Sequence, residues 1–178
     1  MAESRTEQAG KKGGESVRRL VESGKQAESR TSGDPVTLLT SDHDKVKSLF
    51  DRYRNGGNDQ RELADMACHE LQIHTQLEEE LYYPAVRKHA SGRLLELLDD
   101  ALEEHGQAKD IITTLLAKPD LDDEFQQQFQ KLQDVILHHV EEEEDEMFGL
   151  ARTALGSQSD ELAKQMQDRK KELESQIH

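Results

Sequence analysis

Two segments of the chain repeat one pattern: a histidine, a glutamate four residues later and an aromatic residue nine residues after the histidine. The members are His74, Glu78 and Tyr83 in the first segment, and His139, Glu143 and Phe148 in the second. On an α-helix, residues four apart lie on one face about a turn apart, so an imidazole and a carboxylate at this spacing can reach one ion. Each segment therefore predicts a helix that carries half of a metal site.

An acidic residue followed by a histidine precedes each segment at a similar distance: Asp42-His43 before the first and Glu104-His105 before the second. One His-x-x-x-Glu pair alone carries little weight, since a chain this acidic is expected to contain roughly one by chance. The same order of residues occurs twice, however, which indicates an internal repeat of one two-helix unit.

Composition favours an all-helical fold. The chain has 178 residues, of which 33% are hydrophobic and 34% charged, and it contains no tryptophan. A lean, aliphatic core suits helices that each contribute one apolar stripe. We therefore predict an up-down-up-down four-helix bundle, the architecture in which facing helices build metal sites.

The boundaries of the helices follow from caps and breaks. Asp34-Pro35 offers an N-cap and a proline at the first helical position, and Gly156 predicts an end of the fourth helix. Breaks between helices are expected at 55–59, 91–92 and 118–120, and Pro84 is expected to kink or end the second helix. The predicted organisation is a disordered polar tail over 1–33, the bundle over 34–155 and a polar C-terminal helix over 156–178.

Charge and cysteine content exclude several classes of function. The net charge of −15 argues against nucleic acid as a partner and favours cations. Cys68 is the only cysteine, which excludes an internal disulfide framework and a cysteine-rich metal site. Residues 1–33 lack the apolar run of a secretion signal, and no later stretch is long enough to span a bilayer. We expect a cytoplasmic protein with no membrane partner.

The candidate metal ligands lie on the apolar stripes of the four helices: His43, His74, Glu78, His105, His139 and Glu143. Buried glutamates are costly unless a cation neutralises them. Nitrogen and oxygen donors without thiolate suit iron, manganese or zinc. Two glutamates from opposing helices can bridge two metal ions, each completed by histidines and by solvent or an oxo or hydroxo group.

Three further groups are candidates for the metal site, and the sequence leaves their roles open. Glu146 falls on the inner face of the fourth helix and is a candidate for an additional ligand or for a group supporting one. Tyr53 lies at the edge of the first helix's stripe, where it could supply a phenolate or simply pack against a carboxylate. His138 and Glu142 also have the four-residue spacing. We favour the pair one residue later because it aligns Phe148 with Tyr83.

Taken together, these residues resemble the haemerythrin family, in particular its HHE cation-binding branch, over roughly Val36 to Ala154. The resemblance implies a bundle that holds a non-haem di-iron centre. It further implies that the four histidines are terminal ligands and that Glu78 and Glu143 are bridging carboxylates. Zinc and manganese accept similar ligands.

The chain departs from the oxygen-carrying members of that family on the third helix. Those proteins have a His-x-x-x-His pair there, whereas the residue four after His105 is Lys109. The resemblance implies binding or sensing of oxygen, peroxide or nitric oxide. Catalase-like or peroxidase-like decomposition of hydrogen peroxide, in which Lys109 would orient a distal ligand, and iron storage or scavenging are the alternatives.

Overall fold

Four helical rods form an up-down-up-down bundle in the computed structural model, which describes residues 33–177. The first rod is α1 (Pro35–Arg54) and the third is α4 (Arg93–Ala117). The second consists of α2 (Gln60–Leu77), a π-helical turn (Glu78–Tyr82) and α3 (Tyr83–Arg87). The fourth consists of α5 (Asp123–Glu142), a second π-helical turn (Glu143–Met147) and α6 (Phe148–Leu155). A 3₁₀ turn (Gly156–Gln158) leads into α7 (Ser159–Ile177). The predicted all-α four-helix fold is confirmed, while the predicted tail lies almost wholly outside the described residues.

Local sequence explains where the rods begin and end. The carboxylate of Asp34 accepts a 3.2 Å hydrogen bond from the backbone N–H of Val36, with Pro35 in the first turn of α1. Asp122 caps α5 in the same way, accepting from the N–H of Phe125 at 2.8 Å. Gly156, at the end of α6, has a φ of +52°, a conformation that glycine adopts without a steric penalty.

The interior consists of two apolar clusters with a polar layer between them. The cluster on one side of the layer includes Phe50, Leu71, Ile112, Phe129 and Ile136, together with the buried thiol of Cys68. The cluster on the other side includes Leu39, Val86, Leu98, Phe148 and Met166. The four rods thus expose their polar inner residues to one another midway along the bundle, in a layer closed on both sides by hydrocarbon.

Helix α7 packs along the outside of α1 and α2. Leu162 and Met166 join the second apolar cluster, and Leu173 is buried with Ile73 and Leu77. The polar fifth helix predicted from the sequence is therefore docked on the bundle by an apolar stripe of its own. None of the helices described between residues 33 and 177 is long and apolar enough to cross a membrane.

The two π turns shift the buried face of their rods by one residue. A π turn accommodates one more residue than an α turn, so everything after it rotates by about 100° around the axis. Tyr82 and Val86 are buried where an unbroken α-helix would bury Leu81 and Ala85. Pro84 falls in the first turn of α3, where its missing N–H breaks no hydrogen bond within that helix. The second rod therefore passes Pro84 and continues to Arg87.

The same shift removes Glu146 from the interior. An unbroken α-helix would place Glu146 on the face of Glu143, as expected from the sequence, but the π turn buries Met147 instead. Glu146 is exposed and forms a 3.2 Å ion pair with Arg93 on the surface. Glu146, which the sequence left open as an additional ligand or supporting group, therefore lies outside the buried layer.

Candidate metal centre

The structure brings all six candidate ligands together in the polar layer. Each rod contributes from its inner face, and every one of the six side chains is buried: His43, His74, Glu78, His105, His139 and Glu143. Glu78 and Glu143 are completely excluded from solvent. Each of these two glutamates begins a π turn, the irregular helical geometry that occurs frequently at functional sites.

The histidines form two pairs whose Nε2 atoms face each other. His43 Nε2 lies 3.1 Å from His74 Nε2, and His105 Nε2 lies 3.1 Å from His139 Nε2. The rings of each pair are 4.7 Å apart in an edge-on arrangement. Each pair comes from one repeat of the sequence, so the two halves of the chain contribute equivalent halves of the site.

Each glutamate lies between the two pairs. Oε2 of Glu78 is 3.1 Å from His74 Nε2 and 3.3 Å from His105 Nε2. Oε2 of Glu143 is 3.3 Å from His43 Nε2 and 3.5 Å from His139 Nε2. A carboxylate that contacts a histidine from each repeat has the placement needed to bridge two ions.

Several oxygen atoms of these glutamates lack hydrogen bonds. Within the part of the chain that the structure describes, Oε1 and Oε2 of Glu78 and Oε2 of Glu143 have no hydrogen-bond partner. Buried charged oxygens are normally satisfied by donors or by a metal. Two groups of donor atoms lie close enough together to hold an ion: one consists of His43, His74, Glu78 and Glu143, and the other of Glu78, His105 and His139. The residues present therefore fit a pair of metal ions that share Glu78.

Carboxylates behind the histidines fix their orientation. Nδ1 of His43 is 2.9 Å from Glu144, Nδ1 of His105 is 3.0 Å from Glu79, and Nδ1 of His139 is 3.0 Å from Glu104. An ionised carboxylate can only accept hydrogen bonds, so Nδ1 must donate. The Nε2 atom of each of these rings then faces the centre of the site, as metal-binding histidines require.

These supporting acids explain why acidic residues adjoin the candidate ligands in the sequence. Glu79 and Glu144 follow the bridging candidates directly, and each reaches a histidine of the other repeat. Glu104 and Asp42 precede a histidine and face the second histidine of their own repeat. Sequence reasoning noted these neighbours but did not assign their role. The sequence signal for this role is that both repeats contain a Glu-Glu pair and an acidic residue directly before a histidine.

Lysines one turn beyond two of the histidines complete these contacts. Lys47 donates to both oxygens of Glu144 at 3.1 Å, and Lys109 donates to Glu79. Lys109 is 46% exposed at the surface. It therefore acts on His105 only through Glu79, and it does not reach the centre of the site to orient a ligand there.

Electrostatics within the layer favour charged forms of these groups. Burial lowers the pKa of His74, but the charge of Glu78 and the neighbouring Asp42 outweigh it and raise the pKa from 6.5 to about 10. For His105, burial is likewise outweighed by Glu78 and Glu79, which raise its pKa to about 9. Burial opposes ionisation of Glu78, but the imidazoles hold its pKa well below the usual value.

Tyr83 is a residue of the site that sequence reasoning missed. Its hydroxyl donates a 2.8 Å hydrogen bond to Oε1 of Glu143 and lies 3.4 Å from His105 Nε2. Burial and the charge of Glu143 raise the pKa of Tyr83 well above 10, so it remains a donor. Tyr53 instead lies in the apolar cluster that contains Phe50 and Phe129, where its hydroxyl donates to Gln126 at 2.7 Å.

The competing pair His138 and Glu142 lies outside the layer. Together with Glu104 these residues could hold a cation, but His138 is 62% exposed and the group faces solvent. The fourth rod thus turns His139 inward and its neighbour His138 outward.

A small cavity adjoins three of the six side chains. It has a volume of about 10 Å³ and is lined by His43, His74 and His139 together with Thr75, Val46, Leu71, Ile136 and Val140. That volume corresponds to about one water molecule. Thr75 also lines a surface depression of about 410 Å³ beside Glu79 and Lys109. Thr75 therefore borders both spaces.

Comparison with known proteins identifies the family to which this bundle belongs. Residues 34–151 match the family model described as Hemerythrin HHE cation binding domain. Among solved structures, the chain is similar to a Hemerythrin HHE cation binding domain-containing protein from Mycobacterium kansasii, with a TM-score of 0.68 and 24% identity over 80% of this chain and 88% of that chain. This likeness concerns the fold.

Among curated proteins, the chain is 29% identical over 127 residues to a DNA nickase from Nostoc sp.. The match covers 70% of this chain but only 35% of the nickase, so the chain spans about a third of the length of that relative. The family match, by contrast, covers most of the bundle and contains all six candidate ligands. The chain belongs to the haemerythrin HHE cation-binding family, whose domain binds metal cations.

Proposed function

We propose that the chain is a non-haem di-iron protein that binds a small ligand, namely oxygen, nitric oxide or peroxide, beside two iron ions. The observation that carries the proposal is the set of buried carboxylate oxygens that have no hydrogen-bond partner among the described residues and face four imidazole nitrogens. His43 and His74 would hold one ion, and His105 and His139 the other. Glu78 and Glu143 would contact both.

The donor set suits iron, and equally zinc and manganese, because imidazole and carboxylate ligands accept all three. The matched family model is described as a cation-binding domain. When bound, two adjacent irons supply redox chemistry and a Lewis acid for a small ligand. The protein's own residues orient the imidazoles, neutralise charge and exclude water from the layer.

The small cavity supports a ligand of one or two heavy atoms. Its walls are apolar apart from the histidines and Thr75, and its volume of about 10 Å³ leaves no room for an organic substrate. Such a space suits a small, largely uncharged molecule. It also argues against storage of iron as a mineral, which would need a far larger internal volume.

Decomposition of hydrogen peroxide is the second candidate function, and Tyr83 is the observation that favours it. The phenol is a protonated donor at the centre of the layer, beside both His105 and Glu143. A hydrogen-bond donor at this place would stabilise negative charge that develops on a peroxide oxygen. Simple binding of oxygen or nitric oxide would not require it.

We do not extend DNA nicking to this chain. The aligned residues make up 35% of the nickase, which leaves most of that protein outside the match. The net charge of −15 also opposes binding to a phosphate backbone.

Anaerobic titration of the metal-free protein with ferrous iron tests the proposal. We expect binding to saturate at two irons per chain, and a stable, reversible adduct on exposure to oxygen or nitric oxide. Evolution of oxygen from added peroxide would favour the enzyme. Uptake of many irons per chain would favour storage, and failure to bind two irons would contradict all three readings.

A further inference from the structure

The four imidazoles of the layer are not equally supported. Three have a carboxylate 2.9–3.0 Å from Nδ1. The fourth, His74, faces Asp42 at 3.8 Å, which is too long for a hydrogen bond. Among the described residues, neither Nδ1 of His74 nor Oδ2 of Asp42 has any hydrogen-bond partner, although both atoms are buried.

A lysine from outside the bundle binds the carboxylate that His74 would use. Lys170, on α7, donates to Oδ1 of Asp42. Its side chain is only 16% exposed, so water screens this ion pair little. The corresponding carboxylate of the other repeat, Glu104, pairs with no lysine among residues 33–177 and contacts its histidine, His139, at 3.0 Å. The two halves of the site differ at this point.

Helix α7 lies beyond the residues that match the family model, which end at 151. Packing fixes its position, because Leu162, Met166 and Leu173 are buried against the bundle. Arg169, next to Lys170, forms hydrogen bonds of 2.7 and 3.1 Å with Glu80. The apolar stripe of α7, and not Arg169, holds the Lys170 ammonium against Asp42.

We propose that Lys170 is a positioning residue: it keeps the Asp42 carboxylate from His74 and so makes the ion position at His43 and His74 the weaker of the two. This inference rests on the proposed function. A carboxylate hydrogen-bonded to Nδ1 fixes the imidazole and makes it a stronger donor to a metal. His74 lacks that support, so the two positions fill in order, with the one at His105 and His139 first.

The small cavity borders both ion positions. His43 and His74 line it, and so does His139 of the tighter position. The two positions therefore differ in the support of His74 and not in access to this cavity.

Calorimetric titration of the metal-free, full-length chain with zinc measures the two affinities without iron or oxygen chemistry. We expect the wild type to bind two zinc ions with distinct dissociation constants. Lys170→Met frees Asp42 to accept from His74, and we expect it to tighten the weaker step roughly tenfold to a hundredfold while leaving the tighter step unchanged. Lys170→Arg retains the charge and should behave as the wild type.

Arg169→Met is the matched control, because it removes the same charge from the adjacent residue of α7 but touches Glu80 rather than Asp42. It should leave both constants unchanged. An equal effect of Arg169→Met and Lys170→Met, or an undiminished effect of Lys170→Met in an Asp42→Asn background, would overturn the inference.

A measurement on the wild type alone covers the case in which a variant fails to fold. In nitrogen-15 NMR of the zinc-loaded protein, we expect the Nδ1–H groups of His43, His105 and His139 to show the chemical shifts of strong hydrogen bonds. The Nδ1 signal of His74 should lack that shift. Four equivalent signals would overturn the inference. Binding of fewer than two zinc ions would instead count against the two-ion site itself, whereas two equal affinities unaffected by Lys170→Met would count against the role of Lys170 alone.

Discussion

The hydroxyl of Tyr83 donates a 2.8 Å hydrogen bond to Oε1 of Glu143, which joins the first repeat to a candidate bridging carboxylate of the second. Tyr83 is the first residue after a π turn, and its ring stacks on His105 at 5.5 Å. The π turn thus brings a tyrosine of the first repeat into contact with two candidate ligands of the second repeat.

Loss of that hydroxyl should destabilise the metal-free protein. Tyr83→Phe leaves a buried carboxylate oxygen unsatisfied, which costs about 1–3 kcal/mol. Urea denaturation measures the change. Tyr82→Phe is the control, because among the described residues the buried hydroxyl of Tyr82 has no partner to lose. Equal destabilisation by both variants would mean that the Tyr83 hydrogen bond contributes nothing.

Removing a candidate ligand should reduce the stabilisation that bound iron gives to the fold. Glu78→Ala and His139→Ala should lower iron content and diminish the rise in melting temperature that iron produces, since binding to the folded state alone stabilises it by about 2.7 kcal/mol at a hundredfold excess over Kd. Glu142→Ala and His138→Ala change a pair next to the site that lies outside the buried layer, and should leave both readouts near wild type. Unchanged iron content in Glu78→Ala and His139→Ala would exclude these residues as ligands.

The carboxylate behind His139 should matter for affinity although it lies outside the six. Glu104→Gln replaces an ionised acceptor at 3.0 Å from Nδ1 with a neutral amide, and we expect roughly 10- to 100-fold weaker binding at the position of His105 and His139. Glu103→Gln, at the exposed neighbouring residue, serves as the control. Zinc titration of both variants and the wild type measures the effect. Equal zinc affinities of Glu104→Gln and the wild type would show that His139 needs no support from this carboxylate.

Protons should compete with metal at the layer. The pKa values of His74 and His105, raised from 6.5 to about 10 and about 9, mean that both rings bind a proton in the metal-free fold at neutral pH. This protonation stabilises the metal-free fold fully below pH 6.5, and the stabilisation is lost as pH rises through about 9 and 10. Metal must displace the protons, so affinity should increase with pH over that range. Calorimetry in buffers of different ionisation enthalpy counts the protons released; release of none would contradict the raised pKa values.

Local signals made much of the fold predictable. The cap at Asp34, the breaks between rods and the glycine at 156 act within a few residues, so the sequence determines them directly. The convergence of the six side chains followed from their shared apolar stripes, and the structure brings all six into one layer. Whether they bind metal is for the experiments above.

Other features depended on geometry that a regular helical pattern does not contain. The π turns place Glu146 at the surface and Tyr83 inside. The sequence pattern could not predict either position, because it was read as an unbroken α-helix. The contacts of Glu79 and Glu144 with histidines of the opposite repeat required knowledge of how the rods face each other. The contact between Lys170 and Asp42 joins residues far apart in the chain and had no local signal.

Anomalous diffraction from crystals of the iron-loaded protein tests the central claim most directly, since it locates metal without reference to activity. We expect two iron peaks in the buried layer, one contacted by Nε2 of His43 and His74 and the other by Nε2 of His105 and His139, with Glu78 contacting both. Absence of peaks among these side chains, or iron found only at the outer group of Glu104, His138 and Glu142, would contradict the account.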